Sequence, residues 1–270
     1  MKRRAVYISG VRFDPIMQTQ LIDDIARHVT HPSKRSFLVV KPYVEFLAAA
    51  QADASKATLF NQADRVVADG VAIQWAASYL HGQRGPLQFA KSLLIDIQRA
   101  SWREQVIPER GAGVTATQQL LKHAEQAGWR VGILGGPRDT AATFSAVQKR
   151  YPQLKLVTVE SGYFSSNEEA ELVFRLKKCQ LDLLFVAMGF PRQEEFMVRQ
   201  RDAGVAHVML GEGGTFDFDE MGGPLKRAPK AVRRVGLEWL WRLFRQPSRA
   251  GRQASIPRFL HSIYREGKEK

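Results

Sequence analysis

Cysteine is almost missing from these 270 residues. Cys179 stands alone, which excludes an internal disulfide framework and a cysteine-rich zinc site. Long apolar runs are missing too. The longest, Leu183 to Phe190, is strand-sized, well below the roughly 18–20 residues of a membrane-spanning helix. The basic start Met1-Lys2-Arg3-Arg4 is followed by Ala5 to Val11, too short and too polar for a signal peptide, so a cytoplasmic protein is expected. The signatures of several enzyme classes are absent: no Walker A loop, no Gly-x-Gly-x-x-Gly, no His-Glu-x-x-His and no Gly-x-Ser-x-Gly elbow. His28 and His31 lie three apart but lack a third neighbouring ligand, so no metal site is expected.

Acidic residues are scarce at one end. From Leu225 to Lys270 there are 13 Lys/Arg against 3 Asp/Glu, a net +10 of the total +13. The preceding 224 residues are nearly neutral. Such asymmetry marks a surface for nucleic acid, anionic lipid or an acidic substrate, unless the tail is merely solvated. The same segment holds Trp239, Trp241, Phe244, Phe259 and Tyr264, more apolar area than a solvated tail carries.

Short apolar runs alternate with helical patterns. Strands are predicted at Phe37–Val40, Arg65–Ala68, Arg130–Leu134, Leu156–Val159, Leu183–Ala187 and His207–Leu210. Helices are predicted at Thr19–Val29, Val44–Ala57, Val71–Leu80, Thr115–Ala127, Thr140–Tyr151, Asn167–Lys178 and Arg192–Ala203. The alternation predicts an α/β, Rossmann-like parallel sheet with helices on both faces. The charge shift places a boundary near Gly222-Gly223-Pro224, giving an α/β domain over 1–222 and a basic helical C-terminal appendage over 223–270. His81 to Pro108 reads as an inserted amphipathic helix, a lid, an oligomer contact, a lipid contact or plain packing.

Ligands of such sheets bind at the carboxyl ends of the strands, and four loops there stand out. Ala68-Asp69-Gly70 offers a carboxylate, or simply a helix cap. Leu134-Gly135-Gly136-Pro137-Arg138 lets backbone approach a phosphate at a helix start, or makes a tight turn. In Met188-Gly189-Phe190-Pro191-Arg192-Gln193-Glu194-Glu195, Gln193 and Glu194 either bond a base or ribose or satisfy the local helix dipole. Gly211-Glu212-Gly213-Gly214-Thr215-Phe216-Asp217-Phe218 is a loop closing over a ligand, or a packed connector. These features point to a nucleotide-binding enzyme working through a carboxylate and arginines.

Taken in order, Ala68-Asp69-Gly70, Glu109-Arg110-x-x-Gly113, Leu134-Gly135-Gly136, Gly189-Phe190-Pro191-Arg192-Gln193-Glu194, Gly213 to Phe218, Arg227-Ala228-Pro229 and Gly236 to Leu243 with Pro247-x-Arg249 resemble the WecG/TagA/CpsF family of bacterial glycosyltransferases. The resemblance spans roughly residues 35–252. It implies a metal-independent, inverting transferase without a cofactor, moving a sugar from a UDP-sugar to a saccharide on undecaprenyl diphosphate during cell-surface polysaccharide synthesis. Linkage units of teichoic acid, enterobacterial common antigen and exopolysaccharides are products of that family. It further implies that Asp69 is the catalytic base and that Arg110 contacts the diphosphate. Arg227, Arg234 and Arg242 of the appendage would meet diphosphate and membrane. Gly135, Gly136, Gly189, Gln193 and Glu194 would contact the nucleotide.

Two departures bear on the sugar or acceptor: after the Glu-Arg motif, where the family commonly has an Asp, Val114-Thr115 follow Gly113 here, and the early-strand motif differs. The family's Thr-x-Asn after an early strand is Lys41-Pro42-Tyr43 here. Lys41 would then join the diphosphate or acceptor contacts, or greet an acidic sugar. N-acetylmannosamine, its uronic acid and another hexose all remain open. The expected partners are the UDP-sugar, the polyprenyl-diphosphate-linked acceptor and the anionic inner face of the cytoplasmic membrane, with a homo-oligomer allowed and nucleic acid not expected. Two rivals stand beside this: a nucleic-acid-binding protein using the tail, and a catalytically silent membrane-associated UDP-sugar-binding protein. Over Val232–Arg245 the charges at 234, 238, 242 and 245 form one stripe while apolar residues cover most of the remainder, a pattern that docks on a core or interface rather than lying beside nucleic acid.

Overall fold

The computed structural model describes residues 4–82, 85–95, 106–109, 113–229, 241, 244 and 255–269. It opens with an antiparallel hairpin, β1 (Val6–Ile8) and β2 (Val11–Phe13), turning through Ser9-Gly10. There follow α1 (Gln18–Thr30), β3 (Phe37–Val40), α2 (Val44–Ala52), α3 (Ala54–Asn61), β4 (Arg65–Val66), α4 (Val71–His81), α5 (Pro86–Ile95) and α6 (Val114–Ala127). Then come β5 (Arg130–Gly135), α7 (Thr140–Arg150), β6 (Lys155–Glu160), α8 (Ser166–Lys178), β7 (Leu181–Ala187), α9 (Arg192–Arg199), β8 (Ala206–Gly211) and α10 (Ser255–Glu269). Six strands pair in parallel in the order β4-β3-β8-β7-β5-β6. The expected Rossmann-like sheet is present, with helices on both faces.

The period-2 alternation of strands divides the apolar residues between two cores. Leu38, Val40, Leu184 and Val186 face one side, against Phe46 of α2, Phe60 of α3, Ile73 of α4 and Phe196 of α9. Phe37, Val39, Leu183 and Phe185 face the other, against Leu21 of α1, Leu120 of α6 and Val147 of α7. Central strands covered on both faces must be apolar throughout, which is why their runs were continuous in the sequence. The helix expected over Val44–Ala57 is two helices. Asp53 separates them, because its carboxylate accepts the Ser55 backbone N–H (3.0 Å) and caps a new start.

The hairpin was not anticipated, nor was the packing of the appendage's last helix into the core, and the two pack together. Phe259 and Ile263 of α10 are fully buried in the first core, and Gly267 lies against the Tyr79 ring. The Ser9 N–H donates to Glu266 (3.0 Å), and Gln51 of α2 donates to Ser262. The end of the basic appendage is thus part of the α/β body. From the inserted stretch, α5 is a packing helix: Phe89 meets Trp75, Tyr79 and Tyr264 at ring separations of 5.1–5.5 Å, and the Trp75 indole N–H donates to Ser92 (2.9 Å). The amphipathic stretch expected at 232–245, apart from Trp241 and Phe244, lies outside the described residues. Phe259→Ala should cost about 3–5 kcal/mol of stability, as for other buried Phe truncations. Urea unfolding measures it; a loss below about 0.5 kcal/mol would mean that α10 is a solvated tail.

Candidate active site

Because all six strands run the same way, their carboxyl ends share one edge of the sheet. The chain leaves β5 outward to β6 and leaves β7 in the opposite direction, to β8. That divergence opens the crevice where doubly wound sheets hold ligands. Gly135-Gly136 and Gly189 line it. The two positions differ physically. At Gly135 (φ 102°) a Cβ would sit 2.3 Å from the Ala187 carbonyl oxygen, which also accepts the Gly136 N–H (2.8 Å). The close approach of β7 therefore accounts for this glycine. Gly189 (φ 77°) faces open space, with nothing within 4 Å of a Cβ, so a ligand can reach its backbone.

Gln193 and Glu194, expected at the nucleotide, are both buried. The Gln193 amide donates to Glu194 Oε1 (2.8 Å), and its Oε1 accepts the Gly189 N–H (3.1 Å). Their polar groups hold the turn from inside. Among the described residues, Glu194 Oε2 has no hydrogen-bond partner. Burial pushes the carboxyl up to about 8, only partly countered by the Gln193 bond, so at neutral pH it is a neutral acid.

Asp69 is half-buried at the end of the β4 segment, and its N–H donates to the Pro42 carbonyl (3.2 Å). It does not cap α4. The N-cap is Gly70, one residue further on, which makes no side-chain bond. Glu109 is placed nearby by two contacts. Its carboxylate accepts the Gln18 N–H at the start of α1 (2.8 Å), and Ile107, two residues earlier, accepts from Gln74 of α4 (3.1 Å). Glu109 is therefore engaged in holding a helix end. Gly113, the N-cap of α6, likewise makes no side-chain bond. Arg227 reaches this helix start from the appendage, donating to Thr115 (3.0 Å) and pairing with Glu220 (3.6 Å). Arg110, Arg234 and Arg242 lie outside the described residues.

Lys41 is committed elsewhere than expected. Its ammonium is buried and donates to Glu212 Oε2 at 2.5 Å, so its charge is neutralised inside the protein rather than displayed to an anion or an acidic sugar. Glu212 also accepts from Thr117 (2.5 Å) and Thr215 (2.7 Å). Sequence reasoning carried Glu212 and Thr215 only as members of the glycine-rich loop, gave them no role, and did not single out Thr117. Their meeting follows from strand register: extending the pairing of Val39 with Leu210 by two residues sets Lys41 opposite Glu212. A groove of about 260 Å³, lined by Glu160, Tyr163, Phe164 and Arg175 among others, lies beside β6. It is five strand spacings, about 24 Å, from β4 and Asp69, but it adjoins the glycine crevice: Arg138 lies over the Tyr163 ring (4.7 Å) and Arg192 donates to the Gly162 carbonyl (3.1 Å).

A doubly wound sheet with a half-buried aspartate, an open glycine turn and an arginine along one edge is the frame of an α/β enzyme that works above its strand ends. Residues 6–97 and 97–270 match the sequence pattern of the glycosyl transferase WecG/TagA/CpsF family. The chain belongs to that family and is a glycosyltransferase. Three similar proteins are the N-acetylglucosaminyldiphosphoundecaprenol N-acetyl-beta-D-mannosaminyltransferases of Staphylococcus aureus strains MW2, NCTC 8325 / PS 47 and COL. Each is 29% identical over 259 residues, 96% of this chain and 91% of the relative.

The buried acid has a measurable consequence. Its folded pKa lies above its unfolded value, so the native state holds a proton that the unfolded chain releases once pH exceeds the usual carboxylate range. Its contribution is then a loss of stability as pH rises from about 4.5 to about 8, at up to about 1.4 kcal/mol per unit. Glu194→Gln keeps the bond from Gln193 and should flatten that slope. Thermal melts between pH 5 and 8 decide: parallel profiles for the two proteins would mean that Glu194 ionises normally.

Proposed function

We propose that the chain transfers a hexose from a UDP-sugar to a saccharide carried on undecaprenyl diphosphate, with inversion and with Asp69 as the base. The placement of Asp69 carries this reading: a carboxylate at the end of a strand, next to a glycine cap it does not itself supply. The names of the relatives, which act on an N-acetylglucosaminyl diphosphoundecaprenol, support the acceptor class. Lys41 is already neutralised by Glu212, which favours an uncharged sugar such as N-acetylmannosamine over its uronic acid.

Inversion in one displacement requires removal of the acceptor hydroxyl proton as the oxygen attacks the anomeric carbon. Asp69 takes that proton while the bond to UDP breaks on the opposite side. Negative charge grows on the departing diphosphate. In this reading no metal takes part, and guanidinium groups with backbone N–H donors meet that charge. Arg227 is at the start of α6, and Arg110 is the second contributor that the family resemblance implies. Asp69→Asn removes the base and changes no cap. Turnover should fall about 10²–10⁴-fold while stability shifts by under about 1 kcal/mol and donor binding survives. Product formation read by mass, beside a thermal melt and a UDP-sugar titration, tests it; near-parental turnover in the folded variant would pass the role to another group.

Among the described residues, no helix is long and apolar enough to cross a membrane. A peripheral contact with an anionic surface is supported by α10. Arg258, Arg265 and Lys268 are exposed on the side away from Phe259 and Ile263, spaced seven and three residues apart as one helical face requires. Each contributes roughly 1 kcal/mol near an anionic surface. Deleting the tail is a poor test, since it uncovers the core. Changing these three residues to Gln leaves the buried face intact and should weaken sedimentation with anionic vesicles about 100-fold. Unchanged binding would move the contact off this helix.

A further inference from the structure

A second observation concerns how the loops of the site are held relative to one another. Glu212 is 2% exposed and immediately follows β8. Its carboxylate accepts three side-chain bonds, each from a different part of the carboxyl edge: Lys41 after β3, Thr117 in the second turn of α6, and Thr215 in its own glycine-rich loop. Each partner is coupled to a further piece of the site. Pro42, next to Lys41, accepts the Asp69 N–H. Thr117 donates its N–H to Gly113, the cap of α6 (3.3 Å), and the neighbouring Thr115 holds Arg227. Thr215 closes the loop that begins at Gly213, which faces open space.

We propose that Glu212, charge-paired with Lys41, is the positioning residue that sets the Asp69 loop against the start of α6 and the Gly213–Thr215 loop. Neither group reaches the reacting atoms. Both act through the backbone segments they join. A carboxylate suits this junction, because a single ionised group accepts several short bonds at once. Lys41 balances the charge that burial would otherwise make costly. Beside the pair there is a cavity of only about 10 Å³, at the lower limit for a single water, so solvent does not replace a lost bond cheaply. Lys41 standing where the family's Thr-x-Asn begins is thereby accounted for: in this chain, that position serves the scaffold.

The catalytic consequence rests on Asp69 being the base; the clamp itself does not. The experiment therefore has two readouts on the full-length protein. Glu212→Gln alone strands a buried lysine, so the principal variant is Lys41→Met/Glu212→Gln, which removes both charges, keeps a carbonyl acceptor for one threonine and turns an amide N–H toward the hydroxyl oxygen of the other. Thr117→Val and Thr215→Val each remove one bond and strand no charge. Amide hydrogen exchange should accelerate at least tenfold around residues 69–73, 113–118 and 213–216 in the double variant, and less in the threonine variants, with the β6 and α8 region unchanged. In turnover assays kcat should fall about 10–100-fold with the donor KM within threefold, as expected for misplacement rather than lost binding. Unchanged exchange in the threonine variants overturns the clamp, even if the double variant fails to fold. Altered exchange with parental kcat reduces the pair to a stability element and overturns the positioning role. If the parent protein turns over no UDP-sugar, the transferase reading falls, and the exchange pattern alone decides the clamp.

Discussion

The site depends on β8 lying between β3 and β7. This strand is the last in the sequence and central in space, pairing Leu210 with Val39 on one side and with Phe185 on the other. It binds the β3–β4 side of the sheet, which carries Asp69, to the β7–β5 side, which carries the glycine crevice. Without it the two sides would share no strand pairing among the described residues. Met209 and Val208 are fully buried on opposite faces, so the strand cannot slip by one residue without reversing every side chain. The register that results also puts Glu212 opposite Lys41. Packing in the sheet and chemistry at its edge thus have one origin.

The crevice and the aspartate are separated by the width of that central strand and its neighbours. From β7 to β4 there are three strand spacings, about 14 Å. In the proposed reading, a donor with its nucleotide at Gly189 would extend across the ends of β8 and β3 to present its sugar near Asp69. The segments beneath that path are Gly211 to Thr215 and Lys41 to Tyr43. Both meet at the Glu212 carboxylate. A loop that lies under a substrate must be close to it yet not collapse on it, and Gly213 with its open side is compatible with both demands.

How much of this was legible in the sequence follows from what each signal measures. The central strands of the sheet were legible because burial on both faces demands unbroken apolar runs, as at Phe37–Val40 and Leu183–Val186. Asp69 and the glycine turns were legible because motifs at strand ends are local. Other features were hidden by competing signals. Val6, Ile8, Val11 and Phe13 alternate as a hairpin should, but the arginines before them drew attention to targeting. The apolar face of α10 was submerged in the charge of the tail, so Phe259 counted as apolar area in the appendage without being assigned to the core. Asp53 splits a helix whose apolar pattern runs through it. Its signal is one capping bond to Ser55.

Side-chain direction is the part that spacing alone could not supply. Gln193 and Glu194 sit at a helix start beside an open turn, where a nucleotide contact is a natural expectation, yet both point into the protein. The same is true of Lys41. In each case a polar group near the site faces a second polar group across a buried contact: for Gln193 the partner is the adjacent Glu194, whereas for Lys41 the bond is tertiary and distant in sequence. Lys41 and Glu212 are 171 residues apart. Such groups do not touch the chemistry, but burial makes them exacting: each needs its partner in place, because an unpaired polar group in that environment costs more than the bond contributes when made. That asymmetry gives a small set of internal contacts control over where the exposed groups stand.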